Sequence, residues 1–369
     1  MSASIAAETL RQWLVDGKPV TIVDIRTRDD RAQWSIPGSV HIEAYHDLKQ
    51  GRPGALADAW LPVEIPVVTI CNMGLASQVA AQALAERGFE ALFLEGGMKA
   101  WSLAWNTAQV PVDDKNLRII QVRRTGKGCL SYVVGSKREA LVIDASLPAH
   151  VYRELAAQHG FRIRYVLDTH IHADHLSRSA SLAQEAGATL LLPPQERVRF
   201  RFRPIAHGET LTLGAARLTA LASPGHTLES TSYLVNGAAV FTGDTLFLSG
   251  VGRPDLHAVA SEAQERARSL YRTLKQLLAL GPETLVLPGH ASEPVAFDGV
   301  PLAARLGDVA ARLRDWLSGE DSFVERILER IPPAPPNYTR IVEWNEAGAL
   351  PQGDPTDLEA GANRCAVTA

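Results

Sequence analysis

The stretch Thr169-His-Ile-His-Ala-Asp-His-Leu176 places three imidazoles and one carboxylate within eight residues, directly behind the apolar run Tyr165-Val-Leu167. Three later segments repeat the arrangement of an expected strand followed by a metal-binding side chain: Ser223-Pro-Gly-His226, Phe241-Thr-Gly-Asp244 and Leu287-Pro-Gly-His290. If the strands belong to common sheets, their ends place seven donors along one rim: His170, His172, Asp174, His175, His226, Asp244 and His290. Five of the chain's eleven histidines fall in these motifs. Imidazole with carboxylate suits zinc or iron, whereas magnesium and calcium take oxygen-only sets. Loop donors at strand ends can also leave a coordination position open, as a catalytic metal requires.

Working outward from this core, the segment from Arg118 to Phe241 is rich in short strands. Arg118–Val122, Cys129–Val134 and Ala140–Ile143 read as consecutive strands with Gly126, Gly128 and Gly135 at the turns. A helix is expected near His150–Gln158, and a long one over Ser261–Ala279. Helical periodicity returns from Leu302 to Ile331, before the proline cluster Ile331-Pro-Pro-Ala-Pro-Pro336. The Gly- and Asp-rich tail beyond it is expected on the surface. Upstream, residues 1–106 alternate short buried strands with helices, which suggests a parallel sheet covered on both faces. The polar stretch 107–116 is expected to be a linker. The expected organisation is therefore residues 1–106, a linker at 107–116, a metal-binding domain at 117–300, and a helical extension with tail at 301–369.

In the first domain Cys71-Asn-Met-Gly-Leu-Ala-Ser77 lies between an apolar strand and a helix. Backbone N–H groups of such a loop, together with the helix N-terminus, form an anion-binding nest that would stabilise a thiolate or a persulfide. Cys71 is thus the candidate nucleophile. Cys129 and Cys365 sit in no such loop and are expected to be structural.

The downstream motifs resemble the metallo-β-lactamase superfamily over about residues 117–295. Ser223-Pro-Gly-His-Thr227, Phe241-Thr-Gly-Asp-Thr-Leu246 and Gly250-Val-Gly-Arg-Pro-Asp255 resemble its persulfide dioxygenase branch. Residues 1–106 resemble a rhodanese domain, through Val23-Asp-Ile-Arg26, Ile36-Pro-Gly-Ser-Val-His-Ile42 and Leu94-Glu-Gly-Gly-Met-Lys-Ala-Trp101. The fold implied is an α/β rhodanese-like parallel sheet followed by an α+β metallo-β-lactamase αββα sandwich.

The resemblance implies one Fe(II) per chain on His170, His226 and Asp244. His172, Asp174, His175 and His290 would then orient those ligands or hold a second metal. Arg253 would anchor a substrate carboxylate through a bidentate guanidinium contact. The implied activity is oxidation of a low-molecular-weight persulfide by O2 to sulfite and thiol, with Cys71 exchanging sulfane sulfur with sulfite or thiosulfate. Glyoxalase II shares all seven donors. It implies the alternative of a binuclear zinc or iron thioester hydrolase, with Asp244 bridging and a rhodanese module that relays sulfur or is not catalytic. No Tyr follows His290, where glutathione-using dioxygenases carry one, and position 76 is Ala where thiosulfate-handling loops commonly have Arg. The physiological thiol and the use of thiosulfate therefore stay open.

Composition sets the outer bounds. A chain of 369 residues is long enough for two domains at roughly 150 residues each. With 37 basic and 41 acidic residues and no basic block, nucleic acid is not an expected partner. No apolar run approaches the ~20 residues of a membrane span, so no membrane partner is expected. Three cysteines make no disulfide framework. A cytoplasmic protein is expected, with a homodimer the assembly left open.

Overall fold

A computed structural model describes residues 3–291, 293–361 and 363–368. The outermost ends of the expected domain ranges, residues 1–2 and 369, lie outside the described residues, as do Ser292 and Ala362. The first domain carries a five-stranded parallel sheet in the order Ala3–Ile5, Ala91–Leu94, Val67–Ile70, Thr21–Asp24 and Val40–His41. Its strands are short, and the central ones are buried throughout, as a sheet covered on both faces requires. In the segment Val23–Arg26, Asp24 takes a bidentate bond from Arg26, with Nε at 2.9 Å and Nη2 at 2.7 Å. Both side chains are fully buried.

Behind it lies the αββα sandwich. One sheet has seven strands, running from Arg203–Pro204 at one edge to Trp105–Val110 at the other, and the second has six, from Thr210–Leu213 to Ala304–Arg305. Period-two alternation explains the layering. Ile119, Leu130, Tyr132, Val134, Leu141 and Ile143 face the second sheet and join the central core with Tyr233, Phe241 and Leu287. Their sequence neighbours Ile120, Val133, Ala140 and Val142 face outward, under the helices Ala149–Gln158 and Ser179–Ala186. The other face is covered by the helices Ala260–Leu277 and Glu320–Glu329.

Two expectations are corrected here. The segment 107–116 is not a free linker, because Trp105–Val110 pairs antiparallel with Arg118–Arg124 as an edge strand of the seven-stranded sheet. Its alternating burial, with Asn106, Ala108 and Val110 inward, is the strand signal that polar composition obscured. The boundary therefore falls at Ala104 and Trp105.

The tail is not wholly on the surface either, although residues 348–350 and 352–354 are exposed. Ala366–Thr368 pairs with Gly250–Gly252, and Cys365 and Val367 are buried. Glu359 is fully buried between Arg124 and Arg178, at 3.5 and 3.1 Å. Tail and first domain are also tied together, since Lys99 forms ion pairs with Asp354 and Asp357. The domains meet where Trp34 and Trp101 press on Gly126, and where Arg124 donates to the Ser102 carbonyl.

Candidate functional site

All four metal motifs lie at the C-terminal ends of strands, and they converge. Donor atoms of His170, His226 and Asp244 lie within 4.8 Å of one another. Each histidine is oriented by its other nitrogen. Nδ1 of His226 donates to the Arg253 carbonyl at 2.8 Å; a carbonyl only accepts, so Nε2 is left bare and faces Asp244 Oδ2 at 3.7 Å. Thr169 Oγ1 donates to Asp144 and lies 2.9 Å from Nδ1 of His170, which assigns that nitrogen the proton. Nε2 of His170 and Oδ2 of Asp244 are buried and have no hydrogen-bond partner among the described residues.

Burial, together with the neighbouring His172, holds His170 well below its usual range, and burial lowers His226 as well, so both are neutral, as ligands must be. Burial opposes the charge of Asp244, but the cationic His290 and the hydrogen bond it makes keep the carboxyl ionised. Two neutral imidazoles and one anionic oxygen, buried and aimed at one point, fit a divalent transition metal.

The remaining donors engage one another. His290 spans two carboxylates, with Nδ1 at 2.5 Å from Asp244 and Nε2 at 2.8 Å from Asp174. Although burial disfavours its charge, Asp174 and Asp244 hold His290 well above the usual histidine range. His175 Nδ1 contacts Asp174 at 3.1 Å, and despite burial the Asp174 and Cys129 anions push it up to about 10. His172 turns Nε2 to Asp144 at 3.2 Å. It groups with Asp144 and Asp168, yet its ring lies 4.3 Å from that of His170 and 4.2 Å from that of His175, and its Nδ1, like His175 Nε2, is buried with no hydrogen-bond partner among the described residues.

Sequence reasoning missed several participants. Asp144 orients both His170, through Thr169, and His172, and its backbone is left-handed at φ 55°, a strained conformation for a non-glycine residue. Its place directly after the strand Glu139–Ile143 was the available signal. Cys129 and Cys365, expected to be structural, both border the centre. Cys129 groups with Asp174, His175 and His290, and Cys365 groups with Asp244 and His290. Burial and Asp174 push the Cys129 thiol up, but His175 and Arg124 outweigh them and bring it to about 7. Asn345 donates to the backbone carbonyls of His172 and His175, fixing the motif loop from the helical extension.

Arg253 requires a correction. Its side chain is 1% exposed. The guanidinium donates twice to Asp255 and to the carbonyls of Pro333 and Arg364, while its backbone N–H holds the Cys365 carbonyl. It clamps the tail, and four of its five guanidinium donors are engaged within the chain. The adjacent Gly252 is a steric necessity, since a Cβ there would lie 1.9 Å from the Asp244 carbonyl oxygen.

In the first domain Cys71 is buried where the strand Val67–Ile70 meets the helix Leu75–Glu86. Its Sγ accepts from the N–H groups of Gly74 at 3.1 Å and Ser77 at 3.4 Å. This is the nest expected from the sequence. The Glu95-Gly-Gly97 turn backs it, with Met98 N–H donating to the Cys71 carbonyl at 2.8 Å.

Comparisons with known proteins agree with this division. Residues 6–104 match the rhodanese-like domain, and 124–290 match the metallo-beta-lactamase superfamily. A hydroxyacylglutathione hydrolase of Anaeromyxobacter dehalogenans is 33% identical over 257 residues, covering 67% of this chain and 95% of that protein. The chain belongs to the metallo-beta-lactamase superfamily. This superfamily member carries the rhodanese-like domain fused ahead of the lactamase fold.

It spans about half the length of the hydroxyacylglutathione hydrolase-like proteins of Homo sapiens and Mus musculus, 52% and 53%, at 33% and 34% identity over 42% of this chain. Among solved structures, ETHE1 from Myxococcus xanthus aligns with a TM-score of 0.52 at 27% identity, over 66% of this chain and 99% of that one. A Staphylococcus aureus metallo-beta-lactamase aligns at 0.57 and 23% identity, over 63% and 73%, which shows the fold.

Proposed function

We propose that this chain oxidises a low-molecular-weight persulfide to sulfite at one iron(II) held by His170, His226 and Asp244. The observation that carries the reading is the triad itself, two imidazoles and one carboxylate gathered on a common point, the set that leaves coordination positions open for dioxygen and substrate. Iron bound there would supply redox chemistry between dioxygen and the terminal sulfur. Overall, persulfide, dioxygen and water give thiol, sulfite and two protons.

The chain's own groups do the positioning. Thr169 and the Arg253 carbonyl aim the two imidazoles, and His290 holds Asp244 by one oxygen so that the other stays free. Asp174, His175 and His290 bond to one another, although Nε2 of His175 has no hydrogen-bond partner among the described residues. The likeness to persulfide dioxygenases and to the ETHE1 structure supports the same reading. Cys71 takes sulfane sulfur from the same pool: its thiolate attacks the terminal sulfur of R–S–SH, giving Cys71–S–SH and releasing RSH after proton transfer. Placing both domains on one chain raises the local concentration of the shared intermediate.

The second reading is a binuclear thioester hydrolase. It is favoured by the hydrolase relative that this chain covers almost end to end, and by the second donor group Cys129, Asp174, His175 and His290. Elemental analysis and oxygen consumption separate the two. One iron per chain with uptake of O2 on adding persulfide is expected. Two metals, with S-lactoylglutathione turned over and no uptake with any persulfide, would overturn the dioxygenase.

A further inference from the structure

One short helix, Gly97–Trp101, stands between the Cys71 loop and the metal centre, and it is wedged at both ends. At its start the N–H groups of Met98 and Lys99 donate to the carbonyls of Cys71 and Asn72 at 2.8 and 3.1 Å, and a Cβ at Gly97 would lie 2.2 Å from the Cys71 carbonyl oxygen. At its end Trp101 is fully buried, and Arg124 donates twice to the Ser102 carbonyl. A Cβ at Gly126 would lie 3.1 Å from the rings of both Trp101 and Trp34. Gly126 belongs to the turn between the strands Arg118–Arg124 and Leu130–Ser136, and that turn lies against the last metal motif. The Gly128 carbonyl accepts the Ala291 N–H at 2.8 Å, a Cβ at Gly128 would lie 2.8 Å from the Ala291 carbonyl oxygen, and Cys129 bridges to His290. A Cβ at Gly289 would lie 2.6 Å from Asp244 Oδ1, the oxygen bonded to His290. Four glycines thus mark contacts with almost no slack, in series from Cys71 to Asp244.

The loop at the other end of this series has two arrangements. Without added sulfur, Sγ of Cys71 holds the N–H groups of Gly74 and Ser77. A sulfur bonded to it stands about 2 Å beyond Sγ and carries the charge of a persulfide anion. The N–H groups follow that charge, and a close-packed interior passes such a shift on instead of absorbing it. We infer that sulfur loading of Cys71 is relayed through the helix Gly97–Trp101 to the turn 125–129 and so to His290 and Asp244, which makes the metal centre responsive to what the first domain carries. The physiological load rests on the sulfur-exchange reading of Cys71, but the coupling can be tested apart from it.

The test loads Cys71 of the full-length protein with methyl methanethiosulfonate: the thiolate attacks its divalent sulfur, giving Cys71–S–S–CH3 and releasing methanesulfinate. Peptide mapping selects preparations modified at Cys71 alone, and Cys71→Ser is treated in parallel. Hydrogen exchange read by mass spectrometry then changes about threefold or more in residues 124–130 and 286–291, as well as in the loop. The same loading changes the rate at which Co(II) leaves the protein and shifts its visible spectrum, and Cys71→Ser shows neither effect. Exchange that changes only within residues 71–101, an unaltered Co(II) rate and spectrum, or an equal response in Cys71→Ser overturns the inference, as does a Cys71 that the reagent cannot modify. Trp101→Phe tests the route, and its melting temperature checks that it folds. It keeps the response in the loop and loses most of it beyond Gly126; a full response there would overturn the route, while the parent comparison decides the coupling without any variant. A Cys71 that accepts the methylthio group but takes sulfur from no persulfide would sink the sulfur-exchange reading and leave the coupling standing.

Discussion

Asp244 gives one carboxylate oxygen to His290 Nδ1 at 2.5 Å and keeps the other bare between His170 and His226. The two oxygens of one side chain thus have separate tasks. A protonated imidazole on one side holds the carboxylate in orientation and keeps it ionised, while the free oxygen remains available as a ligand. This division sets Asp244 apart from a carboxylate that offers both of its oxygens to a metal.

Replacement of His290 therefore reads out its role. His290→Gln keeps a hydrogen-bond donor but loses the cation. Its bound metal stays at one per chain, with affinity lowered about 10- to 100-fold, the usual cost of removing a partner that orients a ligand. His226→Ala, which removes a ligand, leaves no stoichiometric metal. Elemental analysis of the three proteins checks this; a parent with two metals that falls to one in His290→Gln would make His290 a ligand.

Glu359 ties the tail to the site through charge. Burial opposes its ionised form, yet Arg124 and Arg178 outweigh burial and keep its carboxyl below the ordinary value of 4.5. It also accepts the Leu176 N–H, at the end of the first metal motif, at 2.7 Å. Glu359→Gln leaves two buried guanidiniums without a counter-charge and should cost about 3 kcal/mol. That lowers the melting temperature by several degrees.

The pH dependence has a definite sign. The folded-state value is depressed, so the unfolded chain binds the proton first, and the contribution is whole above about 4.5 and fades as pH falls below it. Melting curves of parent and variant should converge from pH 7 toward pH 3.5. A constant difference would show that the Glu359 charge is not what is lost.

Much of this centre was legible because metal donors must be of few types and must sit where strands end. His170, His226 and Asp244 are written in the sequence as motifs, and so is the loop of Cys71. The parts that were not legible depend on tertiary closure. Cys129 borders the centre because an isolated bridge sets it against His290 across 161 positions of chain (290 − 129). Cys365 arrives there only because its strand pairs with Gly250–Gly252. Arg253 was misjudged for the same reason, since nothing local says that its donors face the returning tail. The strand Trp105–Val110 was missed because an edge strand with one face toward polar surroundings has too few apolar positions to show its period.

In the first domain the Cys71 loop depends on Gly97. A Cβ at Gly97 would lie 2.2 Å from the Cys71 carbonyl oxygen and 2.8 Å from Gly74 N, and its φ of 57° disfavours a side chain independently. Gly97→Ala must displace the loop, at about 1–3 kcal/mol. Mass spectrometry after exposure to a persulfide should show Cys71 modified in the parent and much less in the variant. Equal labelling would mean that the nest tolerates the shift and that its N–H groups are not what stabilises the sulfur.

Arg253 is expected to behave as a clamp. Arg253→Gln removes the ion pair with Asp255 and loosens the carbonyls of Pro333 and Arg364. Since Cys365 is 1% exposed behind that clamp, its thiol should resist alkylation in the parent and react at least tenfold faster in the variant, with protease cleavage of the tail accelerated in parallel. A substrate anchor predicts the opposite pattern: KM for a carboxylated persulfide rises while Cys365 stays protected. Timed alkylation of native protein followed by peptide mapping, beside the KM of the same preparation, decides between the two.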